Sequence, residues 1–248
     1  MGFRHFRADL HIHSCLSPCG ELSNYPRKIV ERALAEKLRI IAICDHNSAE
    51  NAQAVLRAAR GTGLKVFPGM ELTSEEEVHT LGVFPTMDNL LPLQKRVFKE
   101  LPELPARKQL TPNQVIVNEN DEVLGFSPHP LFAATRLSVY EIVSLIHRCG
   151  GLAVASHIDR GAFSIFSQLG FIPDGLEFDA LEVSPLMTIA AARRAFKLPP
   201  HFPLVRFSDA HQPAEIGQSA TDLVLAAPTF AEIRMAFDGR KGRRICEP

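Results

Sequence analysis

The chain has no tryptophan, only two tyrosines, and no excess of either charge: 27 Lys and Arg stand against 28 Asp and Glu, a formal net charge of −1 over 248 residues. A sequence-independent clamp along a nucleic acid needs a basic field, so extended nucleic-acid binding is not expected. A local basic pocket for one phosphate stays open. No apolar run reaches the ~18–20 residues that span a bilayer, so no membrane role is expected. The first residues, Met1-Gly2-Phe3-Arg4-His5-Phe6-Arg7, lack the apolar core of a secretory signal. Cysteine is scarce and odd in number, with Cys15, Cys19, Cys44, Cys149 and Cys246 in a chain long enough to build its own core. No disulfide framework is therefore expected, and a reducing, cytoplasmic setting is. Internal repeats and low-complexity tracts are also missing. Neither a Gly-rich Walker loop nor a Gly-x-Ser-x-Gly elbow occurs, which weakens nucleoside-triphosphatase and serine-esterase readings. Hydrophobic residues at 46% and charged residues at 22% are close to globular averages and exclude wholesale disorder. Ten histidines are the richest feature.

Strand and helix patterns alternate along most of the chain. Residues 6–13 read as a strand, 26–37 as an amphipathic helix with proline in its first turn, and 39–45 (RIIAICD) as a strand buried on both faces. A helix follows, with Asn47 or Ser48 as its N-cap and Gly61 and Gly63 at its end. Strands are expected at 65–73 and 78–84. The proline-rich stretch 85–137 breaks the rhythm, with a short helix near 93–101 and a hairpin pairing 114–117 with 122–126. It reads as a lid-like insertion folded over one end of a single domain spanning 1–248. Ser138 then caps a helix over 139–149, followed by strands at 152–157, 180–184, 204–209 and 222–226 and helices at 187–196 and 230–237. Such βα units predict an α/β fold with a largely parallel sheet of seven or eight strands, most simply closed into a barrel.

The polar residues cluster at strand ends. Asp9-Leu10-His11-Ile12-His13 alternates along a strand, so Asp9, His11 and His13 are expected on one face, with Leu10 and Ile12 on the other. Two imidazoles ~7 Å apart along a strand can converge on one ion; they can equally be two surface histidines of an edge strand. Asp45-His46, Gly69-Met70-Glu71, His79, His157 and Ser208-Asp209-Ala210-His211 all lie at or near expected strands, most at the C-terminal end. In a (β/α) barrel those ends form the rim where active sites are built. Burying so many ionisable groups without a cation is very costly, which points to a metal cluster.

In that order, Asp-Leu-His-x-His, Asp-His-Asn, Gly-x-Glu, Val-His-x-Leu-Gly, His-x-Asp-Arg and Ser-Asp-Ala-His resemble the PHP (polymerase and histidinol phosphatase) superfamily, from about Asp9 to His211. The resemblance implies a distorted (β/α)7 TIM-like barrel holding two or three divalent ions (zinc, iron or manganese) at the strand C-termini, and phosphoester hydrolysis. It implies that His11, His13, Glu71 and Asp209 hold a first ion, with Glu71 bridging to a second completed by His79 and His157. A third falls to His46, His211 and Cys19, where relatives usually carry His or Asp. A thiolate there favours zinc or ferrous iron; otherwise Cys19 is a passive thiol and the third site is weak. Asp9 and Asp45 are expected as partners that fix imidazole tautomers.

The implied chemistry is attack by a metal-bridging hydroxide, with no protein nucleophile. Arg160, and Arg136 from the inserted segment, are the candidate phosphate contacts, because a guanidinium fork makes paired charge-assisted hydrogen bonds. His129 is a further lid residue, though a plain loop position suits it better; His5, His147 and His201 read as surface or structural histidines. The length leaves no room for a polymerase body, and the near-neutral charge favours a small phosphomonoester or nucleotide as substrate. A nuclease acting on short or single-stranded ends is the alternative, followed by a non-catalytic metal-binding module.

Overall fold

In the computed structural model, residues 2–103, 114–200 and 202–246 are described; His201 and part of the 85–137 segment lie outside them. Nine strands form one sheet: β1 (Arg4–Ile12), β2 (Ile40–Ile43), β3 (Lys65–Thr73), β4 (His79–Val83), β7 (Leu152–Ala155), β8 (Ala180–Glu182), β9 (Leu204–Val205), β10 (Thr221–Leu225) and β11 (Arg244–Cys246). Their order is β11-β10-β1-β2-β3-β4-β7-β8-β9. β5 (Val115–Val117) and β6 (Val123–Phe126) form a separate hairpin. The sheet curls into a nearly closed barrel. At the open seam no ladder joins β9 to β10; instead the Thr221 hydroxyl accepts from the Arg206 amide and donates to the Arg206 carbonyl, each at 2.8 Å.

The sheet is less parallel than the sequence predicts. β1–β2–β3 and β7–β8–β9 are parallel, whereas β4 runs antiparallel to both β3 and β7, as does β10 to β1. The cause is local: β3 and β4 are joined by a tight turn at Ser74, whose amide donates to Val78 O at 3.0 Å, with Glu77 at φ 61°. Such a connection returns the chain antiparallel, whereas a parallel neighbour needs a longer crossover.

Two apolar layers hold this architecture. Inside, one cluster takes side chains from every strand between β10 and β9, among them Leu10, Phe67, Leu81, Val154, Val205 and Leu223. Helix α7 (Phe230–Phe237) closes one end, inserting Ile233 and Phe237 into that cluster. Outside, Ile41, Ile43, Val66 and Ala153 pack against the helices α1 (Pro26–Ala35), α2 (Ala52–Ala58) and α4 (Val139–Arg148) through Ile29, Val55 and Ile146. This explains why every residue of β2 is apolar and buried. α4 begins with the capping box formed by Ser138 and Glu141. The remaining α-helices among the described residues are α3 (Met87–Glu100), α5 (Ile165–Leu169) and α6 (Ile189–Ala195). Among the described residues, no helix is long and apolar enough to cross a membrane.

Asn47 is not a helix cap. α2 starts five residues later, and the Asn47 side chain instead accepts from Thr73 N and donates to Leu131 O and Ala133 O.

Candidate metal centre

β1 carries an irregularity that decides what enters the site. Asp9 pairs with Ile41 and Ile12 with Ile43, so β1 spends three residues where β2 spends two. One extra residue bends a strand and turns later side chains to the other face. Leu10 consequently lies in the barrel interior and Ile12 in the helix-facing layer, rather than on a common face. His11 and His13 reach the mouth, but Asp9 does not join them. Its carboxylate accepts from Ser208 N and Gly217 N at 3.0 Å, and burial raises its pKa to about 6.

The other donors arrive at the same mouth from five more elements. His46 follows β2, Glu71 lies on β3, His157 follows β7, and Asp209 and His211 follow β9. His79 opens β4, and the reversed direction of that strand brings its first residue, not its last, to this end. Backbone bonds lock the rim: His13 N donates to Ala210 O at 2.9 Å, Glu71 N to Asp45 O at 3.1 Å, and Asn47 N to Glu71 O at 2.8 Å. His157 at φ 27° and Asp209 at φ 51° are held in the left-handed region that non-glycine residues seldom adopt.

Glu71 is the hub. Its Oε2 lies 3.4 Å from His11 Nε2, 3.3 Å from His13 Nε2 and 3.2 Å from His46 Nδ1. Its Oε1 lies 3.0 Å from His79 Nδ1 and 3.3 Å from His157 Nε2. Asp209 Oδ1 stands 3.2 Å from His11 Nε2 and 3.1 Å from His13 Nε2, and those two nitrogens are 3.1 Å apart. Three groups of donor atoms result: His11, His13, Glu71 and Asp209; His46, Glu71 and His79; and His13, His46 and His211.

This arrangement fits cations better than hydrogen bonds. Ligands that each stand ~2.0–2.1 Å from a tetrahedral ion lie about 3.3–3.4 Å from one another, close to the separations seen here. Three imidazole nitrogens around one carboxylate oxygen, and two facing each other, are poor hydrogen-bond geometry. His157 Nδ1 is moreover buried with no hydrogen-bond partner among the described residues. Burial opposes protonation at His11 and His13, yet the carboxylates win, holding His11 well above its usual range and His13 at about 9. At His46 and His211 burial prevails, lowering His46 well below the usual range and His211 to about 4. Burial also opposes ionisation of Glu71 and Asp209, but the surrounding imidazoles hold both well below the carboxylate range.

The supporting partners differ from expectation. His11 Nδ1 donates to Glu182, at 2.9 Å from its Oε2, and Glu182 also accepts from His157 N. Glu182 escaped the sequence reading, although as a carboxylate ending the run Ala-Leu-Glu it repeats the pattern of Glu71 and Asp209. Asp45 reaches an imidazole only through Ser17, whose hydroxyl accepts from His13 Nδ1 at 2.9 Å and donates to Asp45 Oδ1 at 2.7 Å.

Cys19 lines the same cavity of about 560 Å³ but belongs to none of the three donor groups. Burial, reinforced by Glu71, raises its thiol to about 12. Arg160 also lines the cavity, with Nη2 at 2.6 Å from Asp209 Oδ2. Arg136 does not; it pairs with Glu100 and donates to Lys99 O. His129 stacks on Phe98 and His147 pairs with Asp179, both apart from the mouth.

The fold and the site together define a distorted α/β barrel with a cluster of metal-type donors at one mouth. A sequence model of the PHP domain matches residues 9–164, and the chain belongs to that family. A 5'-3' exoribonuclease of Haemophilus influenzae is 34% identical over 95 residues, covering 35% of this chain and 34% of the enzyme. The lesion-specific endonuclease Q of Pyrococcus furiosus superposes with a TM-score of 0.76 at 22% identity, over 98% of this chain and 58% of its own. A putative metal-dependent phosphoesterase of Bifidobacterium adolescentis gives a TM-score of 0.58 at 18% identity, over 92% and 94% of the two chains. The chain thus spans about a third of the curated relative it matches and 58% of the endonuclease. It is a PHP-family domain whose mouth gathers metal-type donors.

Proposed function

We propose that this chain is a metal-dependent hydrolase of phosphoester bonds, and more narrowly a phosphodiesterase acting on short or single-stranded nucleic acid, in place of the small phosphomonoesterase that composition favours. The observation that carries this reading is the 34% identity to an exoribonuclease. The barrel likeness to endonuclease Q, solved also with a 27-mer duplex carrying an abasic lesion at its active site, agrees with it at the level of fold. The near-zero net charge argues for engaging a strand end rather than a long duplex.

Glu71 would serve two ions. The first would share His11, His13 and Asp209, and the second His79 and His157. His46 and His211 would hold a third, and Cys19 would not take part. With imidazole and carboxylate donors alone, zinc, iron and manganese all suit the site, and softness no longer favours one of them. Bound divalent ions acidify coordinated water and draw charge from phosphoryl oxygens. The protein's own part is orientation. Glu182 and Ser17 fix the rings of His11 and His13, His211 Nδ1 is anchored on Asp209 O at 2.7 Å, and Arg160 presents a guanidinium to the phosphate at the lip. The single barrel domain would include α3, which packs in the helix-facing core through Leu90, Leu93 and Val97.

The test is side-by-side turnover of single-stranded RNA and DNA oligonucleotides, nucleoside monophosphates and histidinol phosphate by protein loaded with zinc, iron or manganese. Oligonucleotide cleavage is expected to dominate. Turnover confined to the monoesters would return the substrate to small metabolites.

A further inference from the structure

The loop after β7 crosses the mouth and carries a bulky side chain in an unfavourable backbone state. Phe163 has φ 59°, where its Cβ crowds the backbone. The conformation is fixed from both sides. Phe163 O accepts from His79 N at 2.8 Å, and the next residue, Ser164, caps α5 while donating to Arg160 O at 2.8 Å. A strained residue persists only where its surroundings over-determine it, and such residues gather at ligand sites.

What the strain secures is the placement of a ring. Phe163 stacks on His79 with centroids 4.7 Å apart and planes 18° from parallel. One face is thus covered by an imidazole of the donor cluster, yet the residue stays 42% exposed. It lines the same cavity as Arg160, Glu71 and Leu186, the last of which is 89% exposed. A flat apolar surface held open beside a phosphate-handling site has one natural occupant in a nucleotide chain: a base.

We propose that Phe163 is the platform on which the nucleobase next to the scissile phosphate stacks. This rests on the nuclease reading and adds to it that the enzyme grips a base as well as a phosphate. Every base has a π-face, so the grip tolerates any sequence while rejecting a sugar-phosphate without a base. Arg160, three residues earlier on the same loop, lets one rigid segment present both a cation for the phosphate and a ring for the base.

The test compares wild type, Phe163→Leu and Phe163→Trp on a short RNA oligonucleotide and on the same oligonucleotides with an abasic ribose at each position in turn. Leucine keeps an apolar cover on His79 but removes the aromatic face; tryptophan restores one. Metal content is measured in each protein to show that the His79 region is intact. Phe163→Leu is expected to raise KM on the intact oligonucleotide by ~10-fold or more. On the abasic substrate lacking the gripped base it should change little, and Phe163→Trp should recover the intact substrate. Wild type should disfavour that same abasic substrate by a similar factor. Equal losses on intact and abasic substrates, or no loss on either, would overturn the platform while leaving the nuclease standing. Absence of oligonucleotide cleavage by wild type would overturn both.

Discussion

Glu71 and Glu182 show how two buried glutamates of the same mouth divide their work. Each oxygen of Glu71 faces a different set of imidazoles. Glu71→Gln keeps shape and volume but loses the charge, and it is expected to lower hydrolysis at least ~100-fold and reduce bound metal while the circular dichroism spectrum stays unchanged. Full activity with full metal content would remove Glu71 from the centre. Glu182 touches no proposed ion; it holds His11 by Nδ1. Glu182→Gln should therefore weaken metal affinity by roughly 10–100-fold without abolishing it, read by chelator competition. Cys19→Ser is the contrasting case. Because its sulfur stands outside the donor groups, metal stoichiometry should not change. Loss of one ion would restore Cys19 as a ligand. Seven proposed donors fall in the three groups, and His157 stands 3.3 Å from Glu71 Oε1 outside them. All eight could be proposed from sequence because each is a polar residue at or near a strand end, and such ends meet at one mouth of a barrel. Asp9 and Cys19 were misplaced because chemistry and spacing show neither a one-residue bulge nor where a turn aims its side chain.

Among the elements, β2 and α4 were plain from sequence, one as an unbroken apolar run and the other from its capping residues. The direction of β4 was not, since hydrophobic periodicity reports burial and carries no sign for strand direction. Gly69 illustrates packing that only coordinates reveal. A Cβ there would lie 2.5 Å from Cys44 Sγ and 3.0 Å from Gly82 O, so the thiol just past the end of β2 takes the space that a side chain on β3 would need. The end of the barrel away from the metal mouth relies on an ion pair instead. Glu232 of α7 accepts from Arg243 Nη2 at 2.7 Å and Nε at 3.0 Å, and from Ala226 N at 2.7 Å. The Arg243 hydrogen bond, foremost, holds its pKa below the ordinary glutamate value. For a carboxylate lowered on folding, the stabilisation is complete above the unfolded pKa and disappears as pH falls through the folded one. Glu232→Gln is expected to cost about 1–3 kcal/mol at neutral pH in urea unfolding. The gap from wild type should narrow below the normal glutamate range; a constant gap down to pH 3 would mean that charge plays no part.

At the scale of the whole molecule, the described residues of 85–137 join the barrel in two ways: α3 enters the helix-facing core through Leu90, Leu93 and Val97, whereas the β5–β6 hairpin is held largely through amides. Beyond α3 the apolar contacts are smaller, with Val115 and Val117 on Cys15, and Leu131 with Leu101 on Leu16. Asn51, buried in the loop before α2, donates to Val115 O at 2.9 Å and accepts from Val117 N at 2.9 Å, mimicking a strand partner for the β5–β6 hairpin. Asn47 does the same for Leu131 and Ala133 from the loop after β2. Because Asn47 follows His46 directly, the segment is tethered to the mouth by a neighbour of a donor residue. Asn51→Ala leaves Val117 N and Val115 O without that partner, a cost of about 1–3 kcal/mol that falls on the hairpin. Amide exchange at Val117 should then accelerate ~5–150-fold, while strands β2, β3 and β7 keep wild-type protection. That separation is what a cover with its own opening equilibrium requires. If the barrel amides accelerate in step with Val117, hairpin and barrel open as one cooperative unit, and the hairpin is part of the wall rather than a lid.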